Sequence, residues 1–159
     1  EEVGIKRVPK PSNFMREINE PKIFNKDQSV IAITPSNKLT IISTIDFSYK
    51  AIGKQTFVID LNPKCYVDLI APARTFGFKD QFQQLGELGL IKGGSLENAL
   101  VCDGDNWVNP PLRFANEPIR HKILDLIGDL ALVGLPKAQI IVYKGSHSLN
   151  ALLASSLKI

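Results

Sequence analysis

The stretch Asn116-Glu117-Pro118-Ile119-Arg120-His121-Lys122-Ile123-Leu124-Asp125-Leu126-Ile127-Gly128-Asp129-Leu130-Ala131-Leu132 decides how the rest of the chain is read. It reads as a helix. Asn116 is placed as its N-cap, Pro118 falls in the first turn where a missing N–H costs nothing, and Glu117 suits the positive end of the helix dipole. Gly134 and Pro136 stop it. At about 100° per residue, Ile119, Ile123, Leu126, Ile127 and Leu130 form a broad apolar stripe, while His121, Asp125 and Asp129 recur four apart along another face. A neutral imidazole and a carboxylate one turn apart can both reach a single Zn2+, and a rigid helix fixes their separation. Spacing alone leaves a second reading open, an exposed i,i+4 His–Asp pair. The chain has 2 histidines. The other, His147, lies in a Gly145-Ser146-His147-Ser148 turn just after an apolar run, and loops so placed carry function.

A length of 159 residues fits one domain, or one domain with a small insertion, and suffices for a real core. Hydrophobic residues at 44% and charged residues at 22% are an ordinary globular balance, with no apolar run long enough to span a bilayer. The net charge of +3 is spread over scattered Lys and Arg without an aromatic-interleaved basic stripe, so nucleic-acid binding receives no support. An anionic small molecule stays open as a ligand. Cys65 and Cys102 form no CxxC pattern and are too few for a disulfide scaffold, which fits a reducing cytosol and a cytoplasmic location. There is no signal peptide at the start, and the opening Glu1-Glu2 without an initiator Met suggests a piece of something longer.

Along the chain, Val3 to Asn25 reads as an extended entry segment with one edge strand. Ser29 to Thr34 and Leu39 to Phe47, joined through Pro35-Ser36-Asn37, read as a hairpin; Gln55 to Asp60 is a further strand. Asn62-Pro63 opens a helix through Leu69. Ala73-Arg74-Thr75-Phe76-Gly77-Phe78 interrupts regular structure, and Lys79 to Glu87 is a short amphipathic helix ending at Gly89. A strand at Ala99 to Cys102 closes a small insert over about 79–103. Gly93-Gly94-Ser95 lacks the GxxxxGK[ST] pattern of a nucleotide P-loop. Gln139 to Tyr143 is a buried strand, and Ser148 to Leu157 a closing helix. The class is α+β: a two-layer sheet packed on helices with a small βαβ-type insert.

Four segments in this order, Ala73 to Phe78, Gly89-Leu90-Ile91-Lys92-Gly93-Gly94-Ser95-Leu96-Glu97-Asn98-Ala99, His121 to Asp129, and Lys144-Gly145-Ser146-His147-Ser148-Leu149-Asn150, resemble the UDP-3-O-acyl-N-acetylglucosamine deacetylase family of lipid A biosynthesis. The resemblance runs from about Ile5 to the C-terminus. It implies two similar α+β domains in tandem with a zinc site in the cleft between them, and this chain resembles the second domain only. In that family the first domain supplies another His and, beside it, the Glu that activates water. No pair of that kind occurs here, so the resemblance implies a chain that depends on its first domain for hydrolysis.

By this resemblance His121 and Asp125 are zinc ligands in the hydrolysis of an N-acyl amide. His147 corresponds to the imidazolium that stabilises the developing oxyanion and protonates the leaving amine, Asp129 to the carboxylate that orients it, and Thr75 to a hydroxyl donor. Phe76 corresponds to an aromatic that packs on the sugar, with a core role the alternative, and Lys122 to a contact with the diphosphate or a sugar hydroxyl. The segment around Ile91, Gly94 and Ser95 resembles the apolar passage for the fatty-acyl chain, in which Lys92 sits oddly unless its head reaches water. Asp46 and Phe47 correspond to a segment near the uridine, although Tyr49-Lys50 stands where the family has His-Pro, and a core Phe47 is the alternative. The implied partners are UDP-3-O-acyl-N-acetylglucosamine and the first domain. The competing reading is a non-catalytic UDP-sugar- or acyl-binding domain.

Overall fold

The computed structural model describes residues 15–81 and 95–157. Period-2 burial organises the main sheet. In the longest strand, Leu135–Tyr143, the residues Pro136, Ala138, Ile140 and Val142 point inward and are buried, whereas Ile141 faces out. We label the strands β1 (Met15–Glu17), β2 (Lys22–Lys26), β3 (Ser29–Pro35), β4 (Thr40–Asp46), β5 (Lys54–Asp60), β6 (Thr75–Phe78), β7 (Ala99–Asp103), β8 (Asn106–Trp107) and β9 (Leu135–Tyr143). The helices are α1 (Pro63–Cys65), α2 (Glu117–Ala131) and α3 (His147–Ser156).

Six strands form the main sheet in the order β2-β3-β9-β4-β5, with β1 running parallel to the start of β9. Strand β9 is antiparallel to β3 and parallel to β4, in a register that sets Ile33, Ile140 and Ile41 side by side. All three are fully buried. Helix α2 covers β4, β5 and β9, and α3 covers β2 and β3, so both helices lie on one face of the sheet. The core is the seam between them: Ile31, Ile33, Ile41, Ile59 and Ile140 from the sheet meet Ile123, Leu126, Leu130, Leu149 and Leu153 from the helices. This is the α+β class that the sequence pattern predicts.

Several local expectations change. Ser29–Thr34 and Leu39–Phe47 do not pair with each other, because β9 lies between them; the hairpins that do form are β2–β3 and β4–β5. The Pro35-Ser36-Asn37 connection instead bridges the β9 edge, with Ser36 N–H donating to Lys137 O at 3.3 Å. Strand β9 also starts at Leu135, so Pro136 is a buried strand residue, and the end of α2 is marked by Gly134 at φ +97°. Asn116 does not cap α2 through its side chain; its Oδ1 accepts from Arg120 Nε at 2.7 Å. Asn62 does cap α1, accepting from Cys65 N–H at 2.9 Å, but the predicted helix continues as a wider i→i+5 turn over Tyr66–Ile70. The edge-strand reading of the entry segment gives β1 and β2, and its residues up to 14 lie outside the described residues.

The stretch expected to be irregular, Ala73 to Phe78, contains β6, which runs parallel to β7 with β8 antiparallel beyond it. A parallel pair requires a crossover, as in the expected βαβ-type insert. The crossover residues 82–94, including most of the helix read at Lys79 to Glu87, together with Ile91 and Gly94, lie outside the described residues. Phe47, Tyr49, Phe76, Phe78 and Trp107 gather around Ile45, Ile52, Cys102 and Ile119, joining this small sheet to the end of β4 and the start of α2.

Truncating the central seam tests this architecture. Ile140→Ala, in the strand shared by three neighbours, is expected to cost about 2–5 kcal/mol, read as a lowered urea midpoint with an unchanged slope.

Candidate metal and acid–base site

The apolar stripe of α2 sets the rotation of the helix and so places His121, Lys122, Asp125 and Asp129 along the rim of its buried side. His121 Nδ1 lies 3.1 Å from Ala73 O. A carbonyl only accepts, so Nδ1 carries the hydrogen, and in the neutral ring Nε2 is left as a bare lone pair. That nitrogen faces Asp125 Oδ1 at 3.4 Å. Two lone-pair atoms so placed call for a cation, either a second ring proton or a metal ion. Ligand bonds of about 2.0–2.2 Å at a tetrahedral angle separate two donor atoms by roughly 3.4 Å, so the pair fits zinc. Among the described residues no group of three or more His, Cys, Asp or Glu side chains is arranged to hold a metal ion. The described residues therefore bring two such donor atoms together, on His121 and Asp125.

Asp125 gathers further charge. Its Oδ2 accepts from Lys122 Nζ at 3.0 Å and lies 3.8 Å from His147 Nε2. His147 is the first residue of α3, placed there by Ser146, whose hydroxyl caps the helix by accepting from Leu149 N–H. The approach to it is tight: a Cβ on Gly145 would lie 2.7 Å from Val142 Cγ1. His147 Nδ1 donates to Asp129 Oδ2 at 2.8 Å. The same oxygen accepts from Asn150 Nδ2 at 2.9 Å, and Asn150 is buried with its Oδ1 lacking a partner among the described residues. Its amide is oriented by Asp129, since a carboxylate offers nothing to an oxygen. Ring, carboxylate and amide thus form one chain.

A cavity of about 300 Å³ opens beside these groups, lined by Thr75, Phe76, Phe78 and Phe47 as well as His121, Lys122, Asp125 and His147. Thr75 is exposed at its wall. Phe76 meets Phe47 edge to face at 5.6 Å, stands edge-on to His121 at 6.4 Å, and has Lys122 Nζ 5.9 Å from its centroid. Phe76 and Phe47 therefore belong to the aromatic cluster and to the cavity wall at once. Asp46 does not line the cavity; it accepts from Tyr143 O–H at 3.0 Å and pairs with Lys144 at 3.6 Å. Tyr49 is stacked on Phe78 at 4.2 Å. Ser95 sits in an exposed turn, its N–H bonded to Asn98 Oδ1, away from the cavity lining.

The sequence pattern of UDP-3-O-acyl N-acetylglycosamine deacetylase, the LpxC family, matches residues 1–158. The chain belongs to this deacetylase family. It is similar to the UDP-3-O-acyl-N-acetylglucosamine deacetylase of Synechocystis sp., 47% identical over 88% of this chain and 51% of the relative. The enzyme of that name from Nostoc sp. is 46% identical over 98% of the chain and 58% of the relative. A relative from Arabidopsis thaliana named as probable and mitochondrial is 44% identical over 91% and 47%. The chain spans about half the length of the curated relatives it matches. Among its described residues no helix is long and apolar enough to cross a membrane.

Two groups in this deacetylase-family chain escaped the sequence reading. Asn150 is one; its only signal is the i,i+3 spacing from His147 at the start of a helix. The other is Glu117, which is fully buried rather than lying at a solvated helix end. Burial pushes its carboxyl up, but hydrogen bonds from the Arg74 side chain and from the Arg74 and Arg113 N–H groups outweigh this and hold it below its ordinary value of 4.5. A lowered folded-state pKa adds stability above the unfolded value, and that contribution is lost as the pH falls through the folded value. The stability difference between wild type and Glu117→Gln, from urea midpoints, is therefore expected to be largest near neutrality and to shrink as the pH drops below about 4.3.

Proposed function

We propose that this chain forms one wall of the active site of a zinc-dependent hydrolase that removes the N-acetyl group of UDP-3-O-acyl-N-acetylglucosamine in lipid A biosynthesis. The observation that carries the proposal is the bare Nε2 of His121 facing Asp125 at 3.4 Å, beside the His147–Asp129 pair on the same cavity. Family membership supports the substrate, and coverage of about half of the relatives' length supports a first domain, outside this chain, that completes the ligands and supplies the base. When bound, zinc supplies Lewis-acid activation of water and of the amide carbonyl near neutral pH.

The chain's own groups account for the rest of the step. Water adds to the carbonyl carbon, the C–N bond breaks, and the amine nitrogen takes a proton, giving acetate and the free amino sugar. His147, its Nδ1–H held by Asp129, presents Nε2 to deliver that proton and to stabilise the developing oxyanion. The Thr75 hydroxyl donates to the same oxygen. Phe76 offers an apolar face to the sugar ring, and Lys122 a cation to the diphosphate. The segment around Ile91, Gly94 and Ser95 receives the acyl chain, and Phe47 borders the uridine end, where Asp46 is already engaged by Tyr143 and Lys144. Free Cys65 and Cys102 suit a reducing, cytoplasmic compartment.

A second reading, a UDP-sugar- or acyl-binding module without hydrolysis, has in its favour that the described residues bring only two zinc donors together. Calorimetric titration of the folded isolated chain with substrate separates the two: no measurable heat counts against the module.

In the complete protein, His121→Ala and Asp125→Ala are each expected to abolish bound zinc and deacetylation together; retention of both in His121→Ala would refute the proposal. His147→Ala is expected to keep its zinc, measured by elemental analysis, while kcat falls about 10²–10⁴-fold.

A further inference from the structure

We propose that Glu117 is a positioning residue for His121: it locks the peptide unit between Ala73 and Arg74, and that unit sets the ring orientation and the Nδ1–H tautomer that leave Nε2 facing Asp125. The inference rests on the reading of His121 as a metal ligand. Its basis is one rigid peptide plane. Arg74 N–H donates to Glu117 Oε1 at 2.9 Å, and Ala73 C=O, the other end of the same peptide unit, lies 3.1 Å from His121 Nδ1. In a planar trans peptide these two groups point in opposite directions. Glu117 and His121 are four residues apart on α2, about 6 Å along the helix, so the peptide lies along the helix with one end held by each side chain.

Glu117 is occupied to capacity in this task. Besides Arg74 N–H it accepts from Arg74 Nε at 2.9 Å and Nη2 at 3.2 Å and from Arg113 N–H at 2.7 Å. Arg74 Nη2 also donates to Pro111 O at 3.0 Å, and Arg113 Nη1 closes the loop on Pro72 O at 2.7 Å. The residues on both sides of Ala73 are thereby tied to one buried carboxylate. A helix end needs no such arrangement for its dipole; a solvated acid would serve. What the arrangement secures is the direction of the Ala73 carbonyl. The carbonyl behind a metal-ligating histidine fixes which nitrogen is free to bind.

The test uses the complete protein with 15N-labelled histidine. Two variants are compared with wild type: Glu117→Gln, and the double variant Arg74→Met with Glu117→Met, which removes the buried charges as a pair while keeping volume and so guards against loss of folding. In metal-free protein, well above the ordinary imidazole pKa of about 6.5, the 15N shifts report the tautomer of each ring. Wild-type His121 is expected as the Nδ1–H form. In the variants it is expected as a mixture, with zinc affinity in a metal-buffered titration reduced about 10–100-fold. His147, held by Asp129 instead, serves as the internal control and keeps its tautomer. A folded variant with the wild-type His121 tautomer, or with wild-type zinc affinity, would overturn the proposal and leave Glu117 a purely structural ion-pair partner. Should wild-type protein bind no zinc through His121, the functional reading fails separately, and the tautomer comparison alone decides the role of Glu117.

Discussion

The burial of one helix face governs this molecule. Ile123, Leu126 and Leu130 of α2 are packed to almost no exposure against the sheet and α3, and Ile119 against the aromatic cluster. Once that face is seated, the rotation of the helix has no freedom left, and every polar side chain on its rim has a fixed direction. His121 and Asp125 face the cavity, and Asp129 faces His147, because the isoleucines and leucines face the core. A substitution that rolled α2 by a fraction of a turn would move all three together.

The electrostatics of the site converge on one carboxylate. Asp125 is approached by His121, Lys122 and His147, three side chains able to carry positive charge. Phe76 stands beside two of these groups, edge-on to His121 and 5.9 Å from Lys122 Nζ, and Asp125 itself is only 14% exposed, which strengthens its short contacts relative to bulk solvent. A second anion, Asp129, binds His147 from the opposite ring nitrogen and is itself held by buried Asn150. The two carboxylates thus divide the labour: one shares its charge among several cations, while the other holds a single ring in place.

Much of this is legible in the sequence. The 3.6-residue period of α2 and the β-branched runs of β3, β4 and β9 appear as burial patterns in the structure, and the candidate residues His121, Asp125 and His147 do meet on one cavity, with Asp129 behind His147. What escaped is non-local. Nothing in Ser29–Thr34 or Leu39–Phe47 tells that a distant strand, with Ile140 set between Ile33 and Ile41, will separate them. Glu117 looks like any acid in a first turn until Arg74, 43 positions away, is known to share its pocket. Asn150 likewise gains its meaning only from Asp129. Local pattern reports which faces are apolar; it is silent on which distant polar groups will find each other.

The place of β9 has a consequence for the life of the nascent chain. Ile33 and Ile41 are joined through Ile140, so the middle of the main sheet cannot exist until a strand about a hundred residues further along has left the ribosome. Until then β3 and β4 carry unpaired inner edges rich in isoleucine, the kind of surface on which chains associate wrongly. The loop that must close is about a hundred residues long, and such pairing is slow relative to local helix formation. The two local hairpins, β2–β3 and β4–β5, thus wait as separate halves of a sheet that only β9 can join.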